Sequence, residues 1–240
     1  MITNRLFFGF FHLKRRDCIN RRAFNLEKEA LLASGIREKD QIAEYTNKLD
    51  HLLHQFISKI TFTPDPLTKA KALFDWLWEE KPDRYKPHGN YRLSHVIDAQ
   101  ISKDIRTVGS CLGLTLLYNC LLHRMGIMAE ALYLEDAFGI SPHVLTILPT
   151  KDSSIDVENV FPNGYDYKGH LMHPSRARWG DQELIADIYL SMGNDFFEKG
   201  EWIEALKKYD HAICLNPQFE RAHLNRAILL DKIEMDGKEK

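Results

Sequence analysis

Residues 109–118 read Gly-Ser-Cys-Leu-Gly-Leu-Thr-Leu-Leu-Tyr, and this stretch decides the fold. Gly109 interrupts the preceding segment, and Ser110 is a favoured helix N-cap. The residues from Cys111 to Met125 are apolar on almost every side, which is typical of a helix buried in a core. Gly126 then provides a helix C-cap. The stretch therefore predicts a buried helix that begins at Cys111.

Three strand-like segments follow this helix, at residues 128–134, 144–148 and 154–160. The middle segment is apolar on both of its alternating faces, so we expect it to be an internal strand. A buried helix followed by three strands predicts an α+β fold, with the helix packed across an antiparallel sheet.

The segments before residue 109 are predicted to be mainly helical, because apolar residues recur at three- and four-residue spacing. The predicted helices cover residues 25–32, 38–60, 66–80 and 93–101. Residues 1–24 are basic and lack such a stripe, and we interpret them as a disordered leader. We assign residues 25–180 to one domain with its helical lead-in.

Composition excludes some classes of function. The chain has 240 residues and a net charge of −2, which argues against nucleic acid as the main partner. No apolar run approaches the ~20 residues of a membrane span. The four scattered cysteines are interpreted as free thiols in a reducing compartment, which predicts a cytoplasmic protein.

The order Cys111, His143, Asp156 is that of a thiol nucleophile, a base and an orienting carboxylate. A helix N-terminus favours the reactive thiolate, and the Cys111 N–H is free to bind an oxyanion. Gly109 and Gly113 leave room for a substrate beside it. The alternative is that these are ordinary structural residues, as expected for Cys120 in the same apolar helix.

These residues resemble the core of the transglutaminase-like superfamily. In that superfamily a Gly-x-Cys opens a buried helix ending in Gly-Ile, here Gly126-Ile127. A His then starts one strand and an Asp lies in the next. The resemblance covers about residues 65–170. Within the superfamily, the sequence is similar in particular to the SirB1-like subgroup. It implies a papain-like fold and, without any cofactor, thioester-forming acyl transfer on protein or peptide amides: proteolysis, deamidation or cross-linking.

Residues 183–236 carry a 34-residue pattern typical of a tetratricopeptide (TPR) repeat. Its large, small and turn positions are occupied by Tyr189, Met192, Gly193, Phe196, Gly200, Ala205, Tyr209, Ala212 and Pro217. In peptide-binding repeats two asparagines hold the ligand, and Asn194 and Asn225 fit those positions. The lysine that accompanies them is Leu190 here, which favours a structural helix pair.

Two functions remain open from the sequence. The first is a cysteine-dependent amide hydrolase or acyltransferase that uses Cys111, His143 and Asp156. The second is a non-enzymatic interaction scaffold, because SirB1-like proteins often lack the cysteine. His170 and His173 are interpreted as loop residues, since no cysteine or acid is placed to complete a metal site with them.

Overall fold

The computed structural model describes residues 24–60, 64–139 and 141–238. Within these residues the chain forms eight helices and one four-stranded antiparallel sheet, which confirms the predicted α+β class. The predicted basic leader, apart from Phe24, lies outside the described residues. The helices are α1 (Leu26–Ala33), α2 (Lys39–Lys59), α3 (Pro66–Glu80), α4 (Leu93–Ile101), α5 (Cys111–Arg124), α6 (Asp181–Glu198), α7 (Trp202–Leu215) and α8 (Glu220–Lys238).

The four helices before residue 109 follow the apolar spacing. Helix α2 buries Leu49, Leu52 and Phe56 on one face. Helix α3 begins at Pro66. Proline is well tolerated there, because the N–H that it lacks would have no acceptor within the first turn of the helix. The Asp65 side chain caps it by accepting a hydrogen bond from the Thr68 N–H at 2.7 Å. The four helix predictions are therefore confirmed to within a residue or two.

Helix α5 is the centre of the core. Every residue from Leu112 to Leu122 is buried, as the all-round apolar pattern predicts. Two polar side chains on one face, Thr115 and Asn119, attach it to the sheet. Thr115 Oγ1 donates to the Val144 carbonyl at 3.3 Å, and Asn119 Oδ1 accepts from Thr146 Oγ1 at 2.6 Å. Hydrogen bonds as well as apolar contacts thus hold the helix on the sheet.

The sheet has the strand order β3-β2-β1-β4. Its strands are β1 (Glu130–Ala137), β2 (Ser141–Pro149), β3 (Ser154–Val157) and β4 (Ala177–Trp179). Strand β2 is internal, as predicted, and both of its faces are buried. One face joins the main core, and the other forms a small separate cluster of Leu132, Leu134, Ala137, Leu145 and Ile147.

Strand β4 is not among the three strands predicted from the sequence. It has only three residues and pairs with β1. The Trp179 ring stacks on the Tyr133 ring with a centroid distance of 4.1 Å. Three residues are too few for an alternating pattern to be visible in the sequence.

The C-terminal helices pack on the rest of the chain. Helix α6 contacts α1, α5, β1 and β4, and its buried side chains belong to the main core cluster. A Cβ atom at Gly193 would lie 2.4 Å from the Tyr209 ring, so this glycine allows α6 and α7 to approach closely. Gly200 turns the chain between them with a φ of +75°.

No helix in the described part of the chain combines the length and apolarity that a membrane crossing requires. Cys111 and Cys120 are free thiols. The interpretation of all four cysteines as free is wrong for Cys214, which is in a disulfide.

Candidate functional site

Cys111 is the first residue of α5 and is half-buried. The Ser110 side chain caps the helix by accepting a hydrogen bond from the Gly113 N–H at 3.5 Å. Because Cys111 is the first helical residue, its own N–H has no partner inside the helix. The thiol and an unpaired backbone donor therefore lie together at the positive end of α5.

The glycines around Cys111 serve packing rather than an open space for substrate, which corrects the expectation from sequence. A Cβ atom at Gly113 would lie 2.2 Å from the Asn90 carbonyl oxygen, and one at Gly109 would lie 2.6 Å from it. The Ser110 N–H donates to the same carbonyl at 2.9 Å. The loop around Asn90 is thus fixed against the start of α5.

His143 on β2 contacts a carboxylate and interacts with the Cys111 thiol. Its ring is 7% exposed, and its Nε2 lies 2.8 and 2.9 Å from the two carboxylate oxygens of Glu158. Burial lowers the pKa of His143, but its interactions with the Cys111 thiol and the Glu158 carboxylate outweigh this effect and raise the pKa to about 10. The imidazole is therefore protonated at neutral pH.

Glu158 is the carboxylate that contacts His143, and it follows β3 directly. Its side chain is fully buried, yet hydrogen bonds to His143 and His170 more than offset the effect of burial and lower its pKa. A buried anion is stable only when it is paired in this way. Sequence reasoning missed Glu158, and it lies only two residues beyond the predicted Asp156.

Asp156 does not contact His143, so the expected pairing of these two residues is wrong. Ile147, not His143, is its partner in the β2–β3 register. Its carboxylate accepts two hydrogen bonds from Arg176, at 2.6 and 3.1 Å. Arg176 also donates to the His170 carbonyl at 2.9 Å. Asp156 therefore fixes the loop that carries His170.

His170 is a loop residue, as expected, but it is only 2% exposed. Its Nε2 lies 3.2 Å from Glu158 Oε2, so an acid does stand beside it. The nearby His173 is part of a different contact, with the Asp136 carbonyl at 2.8 Å. The structure thus joins His143, Glu158 and His170, whereas the nitrogens of His173 contact the Asp136 carbonyl and Ser175.

Aromatic rings cover the two buried imidazoles. The Phe138 ring packs edge-on against His143 and His170, with centroid distances of 5.6 and 4.8 Å. The Tyr167 ring packs against His170 at 5.0 Å. Phe138 has a φ of +58°, which is unusual for a side chain of this size and costs conformational energy. This covering keeps water from the ion pair and strengthens its electrostatic interactions.

Tyr85 is a further neighbour of the site that sequence reasoning missed. Its backbone pairs with Gly109, two residues before Cys111. Burial raises the pKa of the Tyr85 hydroxyl, and the nearby Cys111 thiol and Glu158 carboxylate add to that effect. The hydroxyl is therefore protonated at neutral pH and can donate a hydrogen bond.

A cavity of about 460 Å³ is lined in part by Val108 and Gly109, just before helix α5. Its lining includes the cationic side chains of Lys86 and Arg92 and the α6 residue Asp195, whose carboxylate lies 3.8 Å from Arg92 Nη2. Asp195 accepts a hydrogen bond from the Tyr91 hydroxyl. The repeat helices therefore contribute to the wall of a cavity beside the start of α5.

The two asparagines predicted to hold a peptide are brought together, but they bond to each other. Asn225 Nδ2 donates to Asn194 Oδ1 at 2.8 Å, and the Tyr209 hydroxyl donates to the same oxygen at 3.0 Å. Part of their hydrogen-bonding capacity is thus used within the helix pair.

Comparison with known protein families assigns a family model to one part of the chain. Residues 193–232 match a family model described as a TPR repeat. Repeats of this kind indicate interaction with other proteins. No curated protein and no solved structure matches the chain significantly. None of these comparisons supports the resemblance to the transglutaminase-like superfamily.

Proposed function

We propose that the chain is a cysteine acyl-transfer enzyme of the transglutaminase-like type, acting on amide groups of a protein or peptide. The observation that carries the proposal is the buried His143 ring, which contacts the Glu158 carboxylate and interacts with the Cys111 thiol. Cys111 is the nucleophile and His143 the acid and base. Glu158 takes the orienting role expected for Asp156.

The chemistry follows from the two ring nitrogens of His143. Because Nε2 contacts Glu158, Nδ1 is the nitrogen left to serve the thiol. The thiolate attacks the amide carbonyl and forms a C–S bond, while Nδ1 gives its proton to the departing amine. Water or a second amine then attacks the thioester, gives a proton to His143, and breaks the C–S bond.

The negative oxygen formed at each step requires hydrogen-bond donors. The Cys111 N–H, at the start of α5, is one. The Tyr85 hydroxyl, near both Cys111 and Glu158, is proposed as a second.

Alkylation by iodoacetamide tests the proposal. An ordinary thiol with a pKa of ~8.5 is less than ~1% thiolate at pH 6. We expect Cys111 to be alkylated at pH 6 at least about tenfold faster than such a thiol, because the His143 imidazolium stabilises the thiolate. Peptide mass spectrometry locates the label, and Cys111→Ser should abolish it.

Three variants separate the roles of the neighbours. His143→Ala and Glu158→Gln should both slow alkylation at pH 6 toward the rate of an ordinary thiol. Asp156→Asn is the matched control, since Asp156 contacts Arg176 and not His143, and it should have a smaller effect than Glu158→Gln. Alkylation of Cys111 that is slow at pH 6 and unchanged by His143→Ala would contradict the proposal.

The alternative is a non-enzymatic scaffold for protein interaction. The match of residues 193–232 to a TPR repeat favours it, because this is the part of the chain with an identified family. Under this alternative, Cys111→Ser binds protein partners as the wild type does, and Cys111 is alkylated at the rate of an ordinary half-buried thiol.

A further inference from the structure

The unexplained feature of the site is its second imidazole. Acyl transfer uses one histidine, whereas His143 and His170 both direct Nε2 at the same oxygen, Glu158 Oε2, at 2.8 and 3.2 Å. All three side chains are buried. One ligand atom from each lies within 4.8 Å of the others. They come from three separate segments: β2, the turn after β3, and the loop before β4.

Two imidazole nitrogens and one carboxylate oxygen form a typical ligand set for zinc with an open fourth position. Zinc bonds of about 2.0–2.2 Å place tetrahedral ligands roughly 3.4 Å apart. The two nitrogen–oxygen separations of 2.8 and 3.2 Å are shorter than this, so the ligands need to move apart by roughly 0.2 to 0.6 Å to admit the ion. Calcium and magnesium prefer oxygen ligands, so this set does not suit them. We propose that His143, Glu158 and His170 form a zinc-binding site.

The surroundings hold the ligands in place. Arg176 is held by Asp156 and donates to the His170 carbonyl, which fixes the loop carrying that ligand. The Phe138 ring packs against both histidines. Zinc sites depend on such supporting contacts around the ligands. They also explain why a loop histidine is only 2% exposed.

Zinc binding and acyl transfer exclude each other, a consequence that rests on the proposed function. His143 Nε2 cannot hold a proton and a metal ion at once. Zinc bound there replaces the hydrogen bond between His143 and Glu158 that acyl transfer requires. The ion therefore acts as an inhibitor of the Cys111 site, without Cys111 being a ligand.

The test is zinc binding to the full-length chain, measured by competition with a chromophoric chelator. We expect one zinc ion per chain with a micromolar or lower Kd. His170→Ala should weaken binding at least tenfold, because it removes one of three ligands. His173→Ala is the matched control from the same loop and should leave the affinity unchanged, since His173 contacts Asp136 and Ser175 instead.

Two further measurements guard against misfolding and separate the two proposals. Zinc should raise the Tm of wild-type protein and not that of His170→Ala, while the two metal-free proteins have similar circular dichroism spectra. Cys111→Ser should keep the wild-type zinc affinity, so that the metal site stands even if Cys111 proves unreactive. Equal zinc affinities of His170→Ala and His173→Ala, or no binding by the wild type, would overturn the site.

Discussion

Asp187 lies on the buried face of helix α6 and is only 9% exposed. Burial raises its pKa to about 6, although the charge of Arg221 opposes the shift. The unfolded chain has an aspartate pKa of about 3.9. The folded chain thus binds the proton more tightly than the unfolded chain does. Protonation of Asp187 therefore stabilises the fold fully below about pH 4, and this contribution is lost as the pH rises through about 6.

We therefore expect Asp187→Asn to raise the free energy of unfolding at pH 7 by on the order of 1–3 kcal/mol and to have little effect at pH 4. Urea denaturation at both pH values measures the difference between variant and wild type. The exposed Asp152→Asn is the control and should change neither value. A stability gain from Asp187→Asn that is equal at both pH values would refute the buried-carboxyl explanation.

The choice between Asp156 and Glu158 shows what the sequence could predict at the level of single residues. The types and order of the side chains predicted a thiol, an imidazole and a carboxylate near one another. The strand register decides which carboxylate it is. Ile147 pairs with Asp156, so the same register places Glu158 nearer to His143 than Asp156 is. Counting outward from the β2–β3 turn could have identified Glu158 from sequence.

At the level of elements, helix α5 is held on the sheet by a buried hydrogen-bond network. Thr146 Oγ1 donates to Asn119 Oδ1 at 2.6 Å and accepts from Asn159 Nδ2 at 3.0 Å. Asn159 Nδ2 also contacts Thr115 Oγ1 at 3.2 Å. The apolar pattern predicted a buried helix against the sheet. It could not predict this network, because the partners come from segments far apart in the chain.

Thr146→Val should destabilise the protein by about 1–3 kcal/mol, because valine has the same shape but leaves two buried amide groups with fewer partners. Thermal and urea denaturation measure this loss. Thr107→Val is the control, because the Thr107 side chain makes no hydrogen bond within the described ranges and should cost less than about 0.5 kcal/mol. Equal costs for the two variants would show that the network does not hold α5.

At the level of the whole molecule, the repeat helices share the core of the preceding segments. The Phe219 ring packs edge-on against Trp179 and Tyr133, with centroid distances of 5.1 and 5.9 Å. Sequence periodicity predicted the repeat itself, since small and large residues recur at fixed positions. It could not place α6 against α1 and the sheet, because that contact depends on surfaces formed only after folding.

A chain ending after Trp179 should therefore aggregate. It loses the buried residues of α6, among them Leu184, Ile185 and Ile188, and uncovers the surfaces of α1 and Trp179 on which they pack. Each fully buried side chain of this size contributes about 1.5–3 kcal/mol, so losing several approaches a total stability of about 5–15 kcal/mol. Light scattering and size-exclusion chromatography of the truncated chain measure the result.

In the full-length chain, Ile188→Ala should lower the free energy of unfolding by about 2–5 kcal/mol. The control is Ile203→Ala, at a 60% exposed position of α7, which should lower it by less than about 0.5 kcal/mol. A monodisperse and folded truncated chain would mean instead that the repeat helices are an independent module, added to a core that is stable without them.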